Sequence, residues 1–159
     1  MKPSPKQVAA RLDELVERCR AAGMNLTPQR TVIYRALLES EDHPSPELLR
    51  DRVKQQLPAV SLATIYKTLD VLVELGLAAE VPVTGNTKRY EGNMDGHHHL
   101  VCTGCGSVTD TNAPALSKLE LPKGLRGFLP KRYSVHVHGL CSTCRSTPPK
   151  KEKKSWPKN

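Results

Sequence analysis

The chain has no apolar run approaching the ~18 residues of a membrane-spanning helix, and Met1 to Pro5 contain no apolar signal-peptide core. Both absences argue against a membrane or secreted protein, and the expectation is a cytoplasmic one with no membrane partner. Large apolar residues are scarce after residue 91, so that part of the chain needs a clamp to supplement its core. Also missing is any evident pairing of a general acid with a general base, which argues against an enzyme. Charge is the fourth shortage where it would matter most. Half of the formal net charge of +8 lies in residues 147–159, where five lysines face one glutamate beside Pro148 and Pro149. That composition describes a disordered basic tail. Residues 1–90 carry 13 basic and 11 acidic side chains, so any case for nucleic acid must rest there on structure and not on net charge.

What the chain does have is five cysteines, four of them in two pairs, Cys102-Thr-Gly-Cys105 and Cys141-Ser-Thr-Cys144. Each CxxC puts two sulfurs on one tight turn, and two such turns make the tetrahedral four-sulfur cage preferred by structural Zn²⁺. In a reducing compartment the pairs read as metal ligands ahead of a redox dithiol or a secreted disulfide framework. Cys19 follows Leu12, Leu15 and Val16 at helical spacing and is expected to be a core thiol. His97, His98 and His99 stand just before the first pair. A cage filled by four thiolates has no place for them, so they point to a second metal.

The first ninety residues read as four helices and a hairpin. The first helix spans about Pro5 to Ala22, with Val8, Leu12, Leu15, Val16 and Cys19 inward and Gly23 as its stop. Thr27-Pro28 opens the second, which runs to about Glu39 with Val32, Ile33, Leu37 and Leu38 inward. Ser45-Pro46 opens the third, with Leu48, Leu49 and Val53 inward. The fourth starts at Ser61, carries Leu62, Ile65, Leu69, Leu72 and Val73, and ends at Gly76. Leu77 to Val83 and Thr87 to Glu91 are extended segments about a turn at Gly85-Asn86. Helices closed by a hairpin describe a winged helix, whose last helix before the wing ordinarily enters the major groove. On that helix Ser61, Thr64, Tyr66 and Lys67 are the candidate DNA-contacting residues.

Several segments together carry a resemblance: Thr27-Pro28-Gln29-Arg30, His43-Pro44-Ser45, Ser61 to Leu69, Arg89-Tyr90-Glu91, His97 to Cys102, Cys105-Gly106, and Gly139 to Cys144. In this order they resemble the Fur superfamily of bacterial metal-dependent repressors over about residues 10–145. The resemblance implies an α+β protein in four parts. Residues 1–91 would form a winged-helix DNA-binding domain, 92–96 a hinge, 97–146 an α/β dimerisation and metal-binding domain with a four-cysteine zinc site, and 147–159 the tail. It also implies a homodimer on a palindromic double-stranded DNA operator. Structural zinc falls to Cys102, Cys105, Cys141 and Cys144, and a regulatory metal to His43, Glu91, His97, His99 and Asp110.

The residue chemistry agrees. His97 and His99 stand two apart on an expected strand and share a side, with His98 on the other, and mixed imidazole and carboxylate ligation suits Fe²⁺ or Mn²⁺. Asn25 and Lys67 depart from the basic residue and the arginine common among relatives, and no third metal site is expected at His136 or His138 on the expected strand Tyr133 to His138. Among branches, Asp110 resembles the peroxide-responsive PerR type, in which His43 and His97 would be the oxidation-sensitive ligands. Glu91 is the feature that favours a Fur-type iron or manganese uptake regulator. Outside the family, the alternatives are a metalloenzyme and a zinc-ribbon interaction module.

Overall fold

The computed structural model describes residues 3–81, 88–118, 120, 126–130 and 133–146. The turn expected at Gly85-Asn86 and the tail 147–159 lie outside these residues. Four helices come first: α1 (Pro5–Ala21), α2 (Pro28–Leu38), α3 (Pro46–Val53) and α4 (Leu62–Glu74). One device starts them all. Ser4, Thr27, Ser45 and Ser61 each take an extended backbone, and each side-chain oxygen accepts from the backbone N–H three residues on, at 3.1 to 3.3 Å. Each such cap stabilises its helix by about 1 kcal/mol. Proline follows in the first three, where its missing N–H costs nothing. Past the ends of α1 and α4, Gly23 and Gly76 adopt positive φ, which lets Met24 and Leu77 bond back to Cys19 and Leu72.

The helices bury one core that includes Leu15, Cys19, Ile33, Leu37, Leu49, Val53, Ile65, Leu69 and Leu72. Cys19 is a core thiol here, 1% exposed. Leu48 and Val73, expected inward, face out, and Leu62 is only half-buried. The reason is helical phase: Pro46, Leu49 and Val53 already form the inner stripe of α3, and Val73 stands about 100° round from the buried Leu72. Tyr34 and Thr68 go inside instead.

Strands β1 (Ala79–Val81) and β2 (Arg89–Glu91) pair antiparallel, with Glu80 opposite Tyr90. A second sheet has the order β4-β3-β5, from β3 (His98–Cys102), β4 (Val108–Thr111) and β5 (His136–Gly139). The central β3 runs antiparallel to β4 and parallel to β5. The ladder of β5 therefore starts later than the expected Tyr133, although Val135 already accepts from the His99 N–H. Short helices α5 (Pro114–Ser117) and α6 (Ser142–Ser146) complete the described elements. The apolar cluster at this sheet consists of Val81, Val101 and Val108. Among the described residues, no helix is long and apolar enough to cross a membrane.

Candidate metal centres

Five side chains from four parts of the chain meet beside β3. His43 comes from the loop between α2 and α3, Glu91 ends β2, His97 immediately precedes β3 and His99 lies in it, and Asp110 stands directly across from His99 on β4. His43 has φ +48°, an unfavourable region for a non-glycine residue, and its neighbours hold it there. Arg89 donates to its carbonyl at 3.2 Å, the Tyr90 N–H bonds Pro44, and Arg52 of α3 grips Asp42 through two bonds of 2.8 and 2.6 Å. The supporting roles of Arg52 and Arg89 escaped the sequence reading. Arg89 had a signal, since strand alternation puts it on the same side as Glu91 when Tyr90 points into the core.

The donors face one another closely. His97 Nε2 is 3.0 Å from His99 Nε2 and 2.7 Å from Glu91 Oε2, His99 Nε2 is 3.1 Å from that same oxygen, and His43 Nε2 is 2.9 Å from Asp110 Oδ1. All five ligand atoms lie within 4.8 Å of one another. Metal–ligand bonds of ~2.1 Å at right angles place adjacent donors ~3 Å apart, so this spacing fits one ion. The His97 Nδ1–H donates to the Asp95 carbonyl at 2.6 Å, which turns Nε2 toward the cluster.

Electrostatics say the same. Burial resists charge on His43, but its bonds to Asp110 and Glu91 prevail and raise it to about 9. Bonds to Asp110 and Glu91 push His97 up to about 10 against burial. Burial works against ionised Glu91 and Asp110, yet the histidines hold both well below the usual carboxylate range. A cation must therefore displace protons from His43 and His97. Apparent affinity for Mn²⁺ should rise as pH climbs from about 6 to 8, with protons released on binding, because both raised values lie above that window. Titration calorimetry in two buffers of different ionisation enthalpy measures this; equal heats in both would refute it.

At the other end of β3 the four paired cysteines converge, again within 4.8 Å. All are free thiols, and Cys105 Sγ lies 3.8 Å from Cys141 Sγ. Four sulfurs at ~2.3 Å from a tetrahedral zinc stand ~3.8 Å apart, so the spacing matches a cage. The Cys141 N–H bonds Cys102 Sγ at 3.2 Å, and backbone donors from Cys141 and Cys105 lower this thiol to about 6. Neighbouring Cys141 and burial push Cys144 up to about 12. A Cβ on Gly104 would come within 2.9 Å of Cys144 Sγ, so the first knuckle needs glycine there to approach the second.

The remaining candidates are more scattered. Ser61 caps α4 and its hydroxyl lies 2.8 Å from that of Thr64, the Tyr66 hydroxyl donates to Glu47 at 3.3 Å, and Lys67 is exposed. His98 is buried away from the five-donor cluster, stacked on Tyr133 at 5.8 Å. His136 packs against His99 at 4.9 Å, and His138 is exposed. The described residues gather two groups of potential metal donors, and neither includes His136 or His138.

Residues 21–138 match the sequence model of the ferric uptake regulator family. The chain is 30% identical to the peroxide-responsive repressor PerR of Staphylococcus epidermidis over 135 residues, covering 84% of this chain and 90% of that one. Among solved structures it is similar to the Campylobacter jejuni peroxide stress regulator, with a TM-score of 0.64 and 31% identity, across 84% of this chain and 98% of that one. It is also similar to a zinc-bound manganese uptake regulator, with a TM-score of 0.59 and 29% identity, across 80% and 99%.

Proposed function

The chain belongs to the ferric uptake regulator family, and from that premise we propose that it is a metal-dependent transcriptional repressor of the peroxide-sensing PerR type. It acts as a homodimer on a palindromic double-stranded DNA operator. Structural Zn²⁺ sits at Cys102, Cys105, Cys141 and Cys144, and Fe²⁺ or Mn²⁺ at His43, Glu91, His97, His99 and Asp110. Ser61, Thr64, Tyr66 and Lys67 face the DNA. The units are a winged helix at 1–91, a hinge at 92–96, a dimerisation unit at 97–146 and a basic tail at 147–159.

The observation that carries this reading is the origin of the five donors. His43 belongs to the helical part and Glu91 to the wing strand, whereas His99 and Asp110 belong to the three-stranded sheet and His97 immediately precedes its central strand. Joining them fixes the helical part against the sheet, and so fixes the spacing of two α4 helices in a dimer. If the closed arrangement binds the ion one hundredfold more tightly, the equilibrium moves by ~2.7 kcal/mol, enough to change operator occupancy substantially.

Bound Fe²⁺ would activate the O–O bond of a peroxide, with the imidazole ring supplying the two electrons of the net reaction. The protein supplies the target: His43 and His97 present their rings at the cluster, and a ring that has gained oxygen is a poor ligand, so the operator is released. Brief peroxide treatment of the Fe²⁺ form should add one oxygen atom to a peptide containing His43 or His97, and none to the Mn²⁺ form. Mass spectrometry beside fluorescence anisotropy on operator DNA reads both events. Unmodified histidines with retained DNA binding would instead establish the Fur-type iron or manganese uptake regulator, the reading that Glu91 favours. Disulfides and lost zinc would establish a thiol switch.

A further inference from the structure

A cavity of about 380 Å³ opens beside the five-donor cluster, and His43, Glu91, His97 and Asp110 form one end of it. Its apolar wall comes from Val8 of α1, Leu37 and Leu38 of α2, and Tyr90 of β2, all of them buried. Hydrogen peroxide needs little more room than a water, which occupies ~10–15 Å³ on this measure, whereas sites for organic ligands begin at ~300 Å³. The space is therefore far larger than the smallest peroxide requires.

Charge narrows the choice of occupant. Five carboxylates line the cavity, from Glu14, Glu41, Glu91, Asp95 and Asp110, against one guanidinium, Arg11. Arg11 is already bound to Glu14 and Asp95, both at 3.1 Å. Even with the two charges of a bound divalent ion at the cluster, the five carboxylates outweigh the ion and Arg11 together, so an anion entering here would meet net negative charge. An uncharged molecule with one polar and one apolar end meets no such penalty.

We propose that this cavity admits organic hydroperoxides, with the O–O group at the histidine cluster and the hydrocarbon part against Val8, Leu37, Leu38 and Tyr90. This rests on the peroxide-sensing reading and names a further substrate class for that site. The step balances as ROOH plus a ring C–H giving ROH plus a ring C–OH. The O–O bond breaks, the terminal oxygen enters the C–H bond of the His43 or His97 imidazole, and the alcohol leaves. The ring loses two electrons and the peroxide gains them, so no further reductant is needed.

The test uses the full chain loaded with Fe²⁺, treated anaerobically with cumene hydroperoxide or with hydrogen peroxide, and histidine oxygenation measured by mass spectrometry. Ala10, exposed on α1, lines the cavity; its neighbour Ala9, also exposed, does not. Both oxidants should oxygenate the wild type. Ala10→Trp should slow the cumene hydroperoxide reaction about tenfold or more and leave the hydrogen peroxide reaction unchanged, while Ala9→Trp alters neither. With diamagnetic Zn²⁺ in place of Fe²⁺ at the five-donor cluster, cumyl alcohol should shift the amide resonances of Val8, Leu38 and Tyr90 in the wild type and not in Ala10→Trp. Oxygenation of the wild type by hydrogen peroxide alone would overturn the proposal, as would equal losses in the two variants or with the two oxidants. If neither oxidant modifies a histidine, the peroxide-sensing reading itself fails and the substrate assignment falls with it. The cumyl alcohol shifts then show separately whether the cavity takes an organic ligand.

Discussion

Serine at Cys102 or Cys141 should yield a chain with no bound zinc, no dimer and no operator affinity, while most of the helical circular dichroism remains. The asymmetry follows from the two cores. Among the described residues, the helical part buries sixteen in one cluster, whereas the cluster at the three-stranded sheet has three valines, one of them Val81 from the wing strand. Structural Zn²⁺ sites in small peptides provide an apparent ~10–16 kcal/mol, far more than burial of a few valines at ~1.5–3 kcal/mol each. The cage also joins points 36 residues apart and lies next to the β3–β5 pairing, so losing a ligand frees that pairing as well. Elemental analysis, sedimentation velocity and operator titration check each part. A zinc-free Cys102→Ser protein that stayed dimeric and bound operator would overturn the assignment.

Alanine at His99 should do the opposite: zinc and dimer stay, and metal-dependent operator binding disappears. His99 contributes a donor 3.1 Å from Glu91 and 3.0 Å from His97, and its side chain is 4% exposed, so its truncation removes a buried ligand for which a water is a weaker substitute. For a hundredfold preference of the ion for the closed arrangement, the expected loss is about that factor, or ~2.7 kcal/mol. Fluorescence anisotropy across a Mn²⁺ titration reads it, with zinc content and sedimentation as controls. Retention of metal-dependent binding by His99→Ala would show that the remaining four donors suffice and that His99 only packs against its neighbours.

Much of the helical part was legible because its signals are local. Thr27-Pro28 and Ser45-Pro46 state a helix start within two residues, and Gly23 and Gly76 state an end. The convergence of His43, Glu91, His97, His99 and Asp110 was reached through resemblance together with strand alternation; periodicity alone could not bring His43 across from residue 97. Leu48 and Val73 were misplaced because apolar character does not fix helical phase when a stronger stripe lies beside it. Tyr34 and Thr68 were missed inside the core for the converse reason, since each carries a polar atom on an inward position. The grip of Arg52 on Asp42 spans ten residues between a helix and a loop, and its partner can be chosen only once the chain is folded.

Strand β3 carries both metal-donor groups, and its alternation separates them. His99 and Val101 lie on one side of the sheet, while His98, Leu100 and Cys102 lie on the other. From His99 to Cys102 is three residues, ~10 Å along the strand, with a layer of backbone between. The sheet is thereby a partition between the two donor groups, so a short-lived oxidant generated among the imidazoles would meet them before it could reach a thiolate. An odd number of residues inserted between His99 and Cys102 would remove the partition by turning the sulfur onto the histidine side. The three-residue interval is thus a matter of parity as much as of length.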